Sequence, residues 1–326
     1  MLKDNKMRAI VYENYGSPDV LELRDIEKPT PKENEVLVKV HAASVNAMDY
    51  RFLTGTPYLA RLMAGLLKPK HNILGLDVAG RVEAVGENLN QFQPGDEVFA
   101  LSMNHGAFAE YLCVPEAQIL MVQKPANLTF EEAASVPFSA LSAQTCLRDL
   151  GQIQAGQKVL INGASGAVGT FAVQLAKSYG TEVTGVCSTR NLEMVRSIGA
   201  DQVIDYTQED FTQSEGRYDL IFDAVRKRTF SECKRVLNPQ GIFVITAFSP
   251  ALLLQQQWIS MTGSQKMVPM VPKKLVKRDL QDLKDLLEAG KLKPVIDRSY
   301  KLSEVPEALR YYGKGHARGK IIITVE

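Results

Sequence analysis

From about residue 129 onward, short apolar runs alternate with stretches long enough to form helices. The runs are VLING, EVTGVC, QVID, LIFDAV and GIFVITAF. Continuous apolar runs of this length are typical of strands buried on both faces of a parallel sheet. The alternation therefore predicts an α/β fold, a doubly wound parallel sheet with right-handed crossovers, over residues 129–290.

The part of the chain before residue 129 has a different pattern. Its apolar runs are separated by turns rather than by helix-length stretches, and they read MRAIVYE, EVLVKVHAASV, DVAGRVEAVG, DEVFAL and FAEYLCV. This pattern predicts a mainly β domain over residues 1–128. Near the end of the chain, an amphipathic helix at Leu280–Ala289 is followed by Gly290 and then by the strand-like run KIIITVE. Because that run has no crossover partner nearby, we expect residues 291–326 to complete the β domain.

Composition narrows the classes of protein that fit. The 326 residues are 45% hydrophobic, and 38 basic residues balance 37 acidic ones, so a nucleic-acid partner is not expected. No apolar run approaches the ~18 residues that a membrane-spanning helix needs, and MLKDNKMRAI lacks the apolar core of a signal peptide. We therefore expect a cytoplasmic protein without a membrane partner. The four cysteines lack paired spacing, which favours neither a disulfide framework nor a zinc site, although Cys187 leaves open a free thiol near a cofactor.

The most informative segment is Lys158–Gly180, KVLINGASGAVGTFAVQLAKSYG, in which a strand, a glycine-rich turn and an amphipathic helix follow one another. Glycines at every third position allow a tight turn, close approach of backbone N–H groups to a pyrophosphate, and close packing of helix on strand. The helix N-terminus adds unpaired N–H donors. The segment therefore predicts a dinucleotide phosphate site, which we favour over a turn without a ligand. The residues expected to line it are Asn162, Gly163, Ala164, Ser165, Gly166, Ala167, Val168 and Gly169.

The end of the next strand indicates which dinucleotide binds. A site for NAD has an acidic residue there that accepts from the ribose 2′-hydroxyl, whereas this chain has Cys187, followed by Ser188 and Arg190. A hydroxyl and a guanidinium suit a 2′-phosphate, so the cofactor is predicted to be NADPH. The alternative is that Ser188 caps a helix and Arg190 is solvated. Tyr206 either adds its hydroxyl to the same pocket or belongs to the core.

Two further strands end at the same predicted sheet edge. Asp223 and Ala224 follow one of them, and Thr246 and Ala247 follow the next. Ligands of open α/β sheets bind at the carboxyl ends of the strands, so these four residues are predicted to contact the cofactor. Arg226 follows closely and either reaches a phosphate or is solvated.

Several segments in fixed order resemble the medium-chain dehydrogenase/reductase superfamily, in its zinc-free quinone-oxidoreductase-like branch. They are SVNAMDYR at 44–51, ILGLDVAGRVEAVGENLNQFQPGDEVFA at 73–100, GAFAEYLCVP at 106–115, the phosphate turn and the tail KLSEVPEALRYYGKGHARGKIIITV. The resemblance implies a GroES-like β domain, a Rossmann nucleotide-binding domain and an active site in the cleft between them. It also implies a homodimer formed through an edge strand near Phe243–Thr246.

The resemblance also bears on metal content. The zinc enzymes of the superfamily have a cysteine ligand in the segment equivalent to 43–49 and a histidine at the position of Leu76. This chain has Ser44, Val45 and Asn46 in the first segment, and a leucine cannot bind Zn²⁺. No metal site is therefore expected. Without a Lewis acid, hydride transfer needs an acceptor that is already activated, which favours quinones and α,β-unsaturated carbonyl compounds as small-molecule substrates.

Two residues are candidates for the catalytic step. The resemblance places Asn46 near the nicotinamide, although an asparagine here can equally stabilise a turn, and Tyr58 near the mouth of the cleft, where it can donate a proton. Asp49 and Arg51 are expected to form a structural ion pair. The apolar side chains of Leu59, Leu62, Met63 and Leu66 suggest a lid or wall that selects an apolar substrate.

Two other functions remain open at this point. An enoyl-thioester reductase would need basic residues for a carrier phosphate, and Arg61, Lys68 and Lys70 are available in the loop after Tyr58. A catalytically idle NADPH-binding protein, acting as a sensor or structural subunit, also fits because no unmistakable general acid or base stands out in the sequence.

Overall fold

The computed structural model describes residues 5–58, 61–115, 119–271 and 274–325, apart from the side chains of Met63, Ile119 and Thr262. The strands are β1 (Lys6–Val11), β2 (Glu22–Glu27), β3 (Glu35–Val45), β4 (Asp77–Val85), β5 (Glu97–Ser102), β6 (Tyr111–Pro115), β7 (Ile119–Gln123), β8 (Lys158–Asn162), β9 (Glu182–Cys187), β10 (Gln202–Asp205), β11 (Tyr218–Asp223), β12 (Leu237–Ile245), β13 (Lys266–Pro269), β14 (Ile296–Lys301) and β15 (Lys320–Thr324). The α-helices are α1 (Ala47–Thr54), α2 (Arg61–Ala64), α3 (Phe130–Ala134), α4 (Pro137–Gln144), α5 (Ala167–Ser178), α6 (Leu192–Ser197), α7 (Phe230–Cys233), α8 (Pro250–Thr262), α9 (Lys277–Glu288) and α10 (Val305–Gly313).

The chain forms two compact units. The first comprises Met1–Phe138, Leu275–Glu288 and Ile296–Glu326, and the second comprises Ser139–Lys274 and Ala289–Val295.

These limits differ from the predicted domains, which were 1–128 with 291–326 and 129–290. Helix α3 packs against β3 and β4, and helix α9 packs against β7, so both helices belong to the β-rich unit. Periodicity alone assigns a helix to the α/β part of the chain, whereas the apolar surface that it covers decides where it packs.

The first unit is built on a seven-stranded sheet. Its strand order is β14-β15-β3-β4-β5-β7, with β6 also paired to β3, and β1 and β2 form a separate antiparallel pair. The last strand, β15, lies antiparallel to β3, so the end of the chain does return to this unit. Its core comes from these strands and α10, and includes Val38, Val40, Phe108, Ile321 and Ile323, all of which are buried.

The second unit is a six-stranded, wholly parallel sheet of order β10-β9-β8-β11-β12-β13. The chain runs outward from β8 in one direction through β10 and then from β11 in the other through β13. The two halves meet between β8 and β11, and at such a switch point the carboxyl ends of the strands leave a crevice for a ligand. The doubly wound sheet and the separate β-rich unit confirm the predicted fold class.

The edge of this sheet lies one strand further out than expected. Strand β12, which contains Phe243–Ile245, is flanked by β11 and β13 and is therefore internal. The expectation of a dimer through an edge strand near Phe243–Thr246 is thus wrong about the strand, because β13 (Lys266–Pro269) covers that side. The four-residue strand β13 has no strong apolar pattern and is not evident from the sequence.

Candidate functional site

The turn between β8 and α5 has the form that a phosphate site requires. Gly163 has φ of +85°, a left-handed conformation that glycine adopts without strain. The backbone amides of Gly163 and Ala164 donate to the carbonyl of Val186 in β9, at 3.1 and 3.0 Å, and this fixes the turn against the neighbouring strand. Gly166 then begins α5 as its N-cap residue, without any side-chain cap.

Two glycines of this turn are constrained in different ways. A Cβ atom on Gly169 would lie 2.0 Å from the carbonyl oxygen of Gly163, so the packing of α5 on the turn requires glycine. A Cβ atom on Gly166 would meet nothing closer than 3.5 Å, so the protein itself does not require glycine at that position. The side-chain-free surface at Gly166 adjoins the first-turn amides of α5, which have no acceptor within the helix. The residues present therefore fit a pyrophosphate, and no acidic side chain lies in that first turn to repel it.

The end of β9 brings hydroxyl groups to the same region. The side-chain amide of Asn191 donates to Ser165 Oγ in the turn, at 3.0 Å, and to Ser188 Oγ at the end of β9, at 3.2 Å. Asn191 is 4% exposed, and its Oδ1 has no hydrogen-bond partner among the described residues. Arg190 is exposed beside it. The predicted residues Ser165 and Ser188 are thus brought together through an asparagine that the sequence did not single out.

A carboxylate from the neighbouring strand also lies near this end of β9, although the residues that end β9 itself are not acidic. Asp205, the last residue of β10, accepts from Thr189 Oγ1 at 2.5 Å and from Thr207 Oγ1 at 2.7 Å. Hydrogen bonds from these two threonines hold the pKa of the Asp205 carboxyl below its ordinary value. Tyr206 follows and is 57% exposed, so the alternative that places it in the core is wrong.

The ends of β8, β11 and β12 are joined by hydrogen bonds at the carboxyl edge of the sheet. Asp223 is 1% exposed and accepts from Asn162 Nδ2 at 3.0 Å. The amide of Ala224 donates to the Asn162 carbonyl, and Thr246 Oγ1 donates to the Ala224 carbonyl. Ala247 follows and is half-buried. The sheet edge therefore brings together the predicted residues Asn162, Asp223, Ala224 and Thr246.

Asp223 also fixes the loop that follows β11. The backbone amides of Val225, Arg226 and Arg228 donate to its carboxylate, at 3.1, 3.0 and 3.2 Å. Burial raises the pKa of the Asp223 carboxyl, although these amides oppose the shift. The loop holds Arg226 at φ of +60°, a conformation that suits glycine better than arginine. The exposed Arg226 thus stands on a strained backbone that several hydrogen bonds to one carboxylate maintain.

In the first unit, the candidate residue Asn46 belongs to a buried charged network. Its Oδ1 accepts from Lys320 Nζ at 2.7 Å, and its Nδ2 donates to Asp77 Oδ2 at 3.0 Å. Lys320 also pairs with Asp77 at 3.1 Å, and Ser44 Oγ donates to the same carboxylate at 2.7 Å. Both charged residues are fully buried. The Asn46 amide therefore has its partners within the protein, on β4 and β15.

Asp49 has a structural role different from the expected one. It accepts from the backbone amides of Asn46, at 2.8 Å, and Gly75, at 3.0 Å, so it joins the start of α1 to the segment before β4. His105 Nδ1 lies 3.7 Å away, buried and without a hydrogen-bond partner among the described residues. No ion pair between Asp49 and Arg51 occurs in the described part of the chain. The expected pair is thus wrong, because the carboxylate is turned inward onto backbone donors.

Tyr58 and the loop after it are exposed. Tyr58 is 77% exposed, and the Arg61 guanidinium lies over its ring, 4.6 Å from the ring centroid. Leu62 and Leu66 are 66% and 68% exposed within the first unit. Leu59 and the side chain of Met63 lie outside the described residues, so the predicted apolar wall is only partly visible.

The positions that hold metal ligands in zinc enzymes contain other side chains here. Ser44 and Leu76 are both buried, and Ser44 is engaged with Asp77. Across residues 5–58, 61–115, 119–271 and 274–325, no group of three or more His, Cys, Asp or Glu side chains is arranged to hold a metal ion. All four cysteines are free, and burial raises the pKa of Cys187 to about 11. No helix in the described ranges has the length and apolar character to cross a membrane.

Three residues that take part in these arrangements were not predicted from the sequence. Asn191 directly follows the predicted pair Ser188 and Arg190, so its position beside a predicted site was a usable signal. Asp205 ends a predicted strand next to β9 and could have been found from the sheet order. Lys320 is the first residue of an apolar strand and lies 274 positions from Asn46 along the chain. No local sequence pattern indicates the contact between these two residues.

The chain is similar to known proteins in both sequence and structure. The chain matches the family models described as alcohol dehydrogenase GroES-like domain, over residues 32–125, and zinc-binding dehydrogenase, over residues 198–323. It is 35% identical to the mitochondrial NAD(P)H oxidoreductase RTN4IP1 of Mus musculus, over 98% of this chain and 89% of the relative. It is 32% identical to the 2-methylene-furan-3-one reductase of Solanum lycopersicum, over 98% and 79%. The structure of the quinone oxidoreductase from Coxiella burnetii matches with a TM-score of 0.87 and 31% identity, over 98% of this chain and 100% of that one.

Proposed function

Since the chain belongs to the quinone-oxidoreductase-like branch of the medium-chain dehydrogenase/reductase superfamily and is an NAD(P)H oxidoreductase, we propose a narrower activity for it. It is a zinc-independent, NADPH-dependent reductase of quinones and α,β-unsaturated carbonyl compounds. The observation that supports this most directly is the β8–α5 turn, because it presents backbone donors and the Ser165 hydroxyl next to the Ser188 hydroxyl at the end of β9.

The preference for NADPH rests on the groups at the end of β9. Ser188 offers a hydroxyl and Arg190 an exposed guanidinium, and both suit the dianionic 2′-phosphate of NADPH. The Asp205 carboxylate accepts from Thr189 and Thr207, so its charge is stabilised by donors in the protein. Tyr206 is exposed beside it and offers a ring face and a hydroxyl to the adenosine part of the cofactor.

Zinc independence rests on the residues at the ligand positions. A leucine has no donor atom, and the hydroxyl of Ser44 is turned toward a carboxylate in a buried network. The substrate must therefore already be electron-poor enough to accept a hydride, since these side chains cannot polarise a carbonyl as a Lewis acid does. In quinones and enones, conjugation spreads the incoming charge onto an oxygen that a hydrogen-bond donor can stabilise. The bound reduced nicotinamide supplies the hydride.

The roles of the two catalytic candidates follow from their surroundings. Lys320 and Asp77 hold the Asn46 amide in a fixed orientation. Asn46 therefore contributes to the reaction as a group that is already in position before the substrate binds. Tyr58 is exposed and keeps a phenolic hydroxyl available as hydrogen-bond or proton donor to a substrate oxygen. The exposed Leu62 and Leu66 provide an apolar surface in the same loop.

The activity is tested by following NADPH oxidation at 340 nm in the presence of 1,4-benzoquinone or a short 2-alkenal, before and after prolonged dialysis against a chelator. We expect turnover with at least one acceptor and no loss after dialysis. A 2-enoyl thioester as a third acceptor tests the enoyl-thioester reductase alternative, which faster turnover of the thioester would favour. No oxidation with any of the three acceptors would overturn the proposal and leave an NADPH-binding protein without this activity.

The cofactor preference is tested by Arg190→Ala. Loss of a charge-assisted contact, which typically contributes about 1.5–3 kcal/mol, predicts a rise of about tenfold or more in the Kd of NADPH. The Kd of NADH should change little, because NADH lacks the 2′-phosphate. Unchanged discrimination between the two nucleotides would remove Arg190 from the site.

We also propose that the protein is a homodimer, now through β13 rather than β12. Strand β13 is the outer strand of the parallel sheet and, among the described residues, pairs only with β12, so its other edge can pair with a second copy. The adjacent helix α8 exposes Leu254, Trp258 and Met261, which are 68%, 69% and 83% exposed. Sedimentation of the intact protein tests this, and Trp258→Glu should shift the dimer toward monomer. A wild-type protein that sediments as a monomer at all concentrations would refute it.

A further inference from the structure

The side chain of Asn191 is arranged in a way that a purely structural role does not explain. It is 4% exposed and belongs to the 3₁₀ turn Thr189–Asn191 that follows β9. Its Nδ2 donates to both Ser165 Oγ and Ser188 Oγ, while its Oδ1 is buried without a donor. A buried carbonyl oxygen without a donor costs stability, and in native proteins such costs concentrate where a ligand is bound.

The orientation of the Asn191 amide follows from its partners. The two N–H groups satisfy two serine oxygens, and one oxygen atom remains without a partner. The rotated amide would instead leave two buried N–H groups without an acceptor, which is the worse arrangement. Asn191 is therefore a donor to both hydroxyls.

This direction of donation determines what the serines can do. Each hydroxyl has one proton, and each already accepts from Asn191, so its own proton is left to donate elsewhere. Among the described residues, neither Ser165 nor Ser188 donates its side-chain proton to a protein acceptor. Both side chains are half-buried rather than solvated. Two adjacent hydroxyl protons are thus directed away from the protein amide.

We infer that Asn191 is a positioning residue that turns the hydroxyl protons of Ser165 and Ser188 toward the phosphate groups of a bound nucleotide. Ser165 lies in the pyrophosphate turn and Ser188 at the end of β9, so one amide links the two phosphate subsites. The inference rests on the proposed function and extends it. It states that Asn191, which need not touch the cofactor, holds both phosphate-binding hydroxyls in position before the nucleotide binds.

The test compares Asn191→Ala and Asn191→Asp by calorimetric titration with NADPH, NADH and adenosine 2′,5′-bisphosphate. In Asn191→Ala the hydroxyls can rotate but still donate, so NADPH binding should weaken several-fold. In Asn191→Asp the carboxylate accepts both protons and adds a negative charge. That variant should lose about tenfold to a hundredfold in affinity for NADPH and for the bisphosphate, and less for NADH.

Thermal unfolding without ligand separates positioning from structure. Asn191→Ala removes a buried acceptor that has no donor and also two hydrogen bonds to the serines, and because these effects oppose each other, its melting temperature should stay close to that of the wild type. A large drop in melting temperature together with equal losses for NADPH and NADH would indicate a structural role and overturn the inference. Asn127→Ala, which removes a donor to the Leu287 carbonyl in the first unit, serves as the matched control and should bind all three ligands normally.

A double-mutant cycle then identifies the route of the effect. In a Ser165→Ala/Ser188→Ala background, Asn191→Ala should weaken NADPH binding no further, since the groups that it positions are gone. An undiminished effect in that background would refute the inference, as would wild-type binding by Asn191→Asp. A wild-type protein that binds neither NADPH nor the bisphosphate would instead refute the proposed function itself.

Discussion

The glycines of the β8–α5 turn allow the contribution of the fold to be separated from the contribution of the ligand. In Gly169→Ala the new methyl group would lie 2.0 Å from the Gly163 carbonyl oxygen, 2.8 Å from its carbonyl carbon and 2.9 Å from the Cα atom of Ala164. All three neighbours are backbone atoms, so relief requires the helix or the turn to move by more than about 1 Å. Overpacking of a rigid site costs about 1–3 kcal/mol, and we expect the upper end of this range.

The matched substitution in the same turn, Gly166→Ala, is expected to change stability little. Gly166 has φ of −82° and ψ of 172°, which alanine adopts without strain, and the nearest atom to its Cβ would be 3.5 Å away. The lower entropy of the unfolded chain favours alanine, whereas an N-cap position disfavours it, so the two effects should cancel to within about 1 kcal/mol. However, the methyl group would occupy the surface where a pyrophosphate approaches the α5 amides. We therefore expect NADPH affinity to fall about tenfold or more, equivalent to about 1.4 kcal/mol.

Two measurements distinguish the variants. Urea unfolding of the ligand-free proteins reports stability, and calorimetric titration with NADPH reports affinity. Gly169→Ala should lose both, and Gly166→Ala should lose affinity alone. Wild-type affinity in Gly166→Ala would show that no phosphate approaches that backbone, and a wild-type unfolding midpoint in Gly169→Ala would refute the steric reasoning.

Three further predictions concern other parts of the molecule. Lys320→Met leaves the buried Asp77 carboxylate without its cation and should lower the free energy of unfolding, measured in urea, by about 3–5 kcal/mol. Adding Asp77→Asn in a double variant should restore part of this loss. Equal stability of Lys320→Met and the wild type would contradict the prediction. Because burial raises the pKa of Cys187 to about 11, only a small fraction of its thiol is ionised at pH 7.5. Alkylation by iodoacetamide, measured by mass spectrometry, should therefore be slow in the native protein and become faster only as the pH approaches that pKa. Rapid labelling of native Cys187 at pH 7.5 would disprove this prediction. Tyr58→Phe keeps the ring beside Arg61 but removes the hydroxyl, so kcat for the quinone should fall at least about tenfold with an unchanged Kd for NADPH, and an unchanged kcat would exclude Tyr58 as the donor.

The elements with a buried apolar pattern could be predicted from the sequence, and those without one could not. Strands β8, β9 and β11 overlap the predicted runs and are mostly buried, because a strand buried on both faces must be largely apolar. Strands β2 and β14 read ELRDIE and IDRSYK and contain no buried residue, so backbone pairing with neighbours forms them rather than burial. A charged edge strand that buries none of its residues has no alternation of apolar and polar positions that distinguishes it from a loop.

The candidate site shows the same division. The glycine turn follows from local rules, since the conformation of Gly163 and the close packing at Gly169 depend on neighbours in the chain. The carboxylate of Asp205 lies beside Thr189 only because β10 pairs with β9, and this pairing is a property of the sheet. Residues that meet through tertiary structure therefore escape an analysis that searches for motifs.

The surroundings of Asn46 change what a mutation at that position can reveal. Its amide accepts from a buried lysine and donates to a buried aspartate, so Asn46→Ala removes a catalytic candidate and also breaks a charged network. A loss of activity in that variant would therefore not identify its cause. Lys320→Met retains Asn46 but removes the ammonium group that donates to its Oδ1 and pairs with Asp77. Comparison of the two variants at matched stability therefore separates the orientation of the Asn46 amide from its presence. If Lys320→Met lowers kcat without altering the Kd of NADPH, the orientation of Asn46 matters for the reaction. If only stability falls, the network serves to join β15 to β3 and β4.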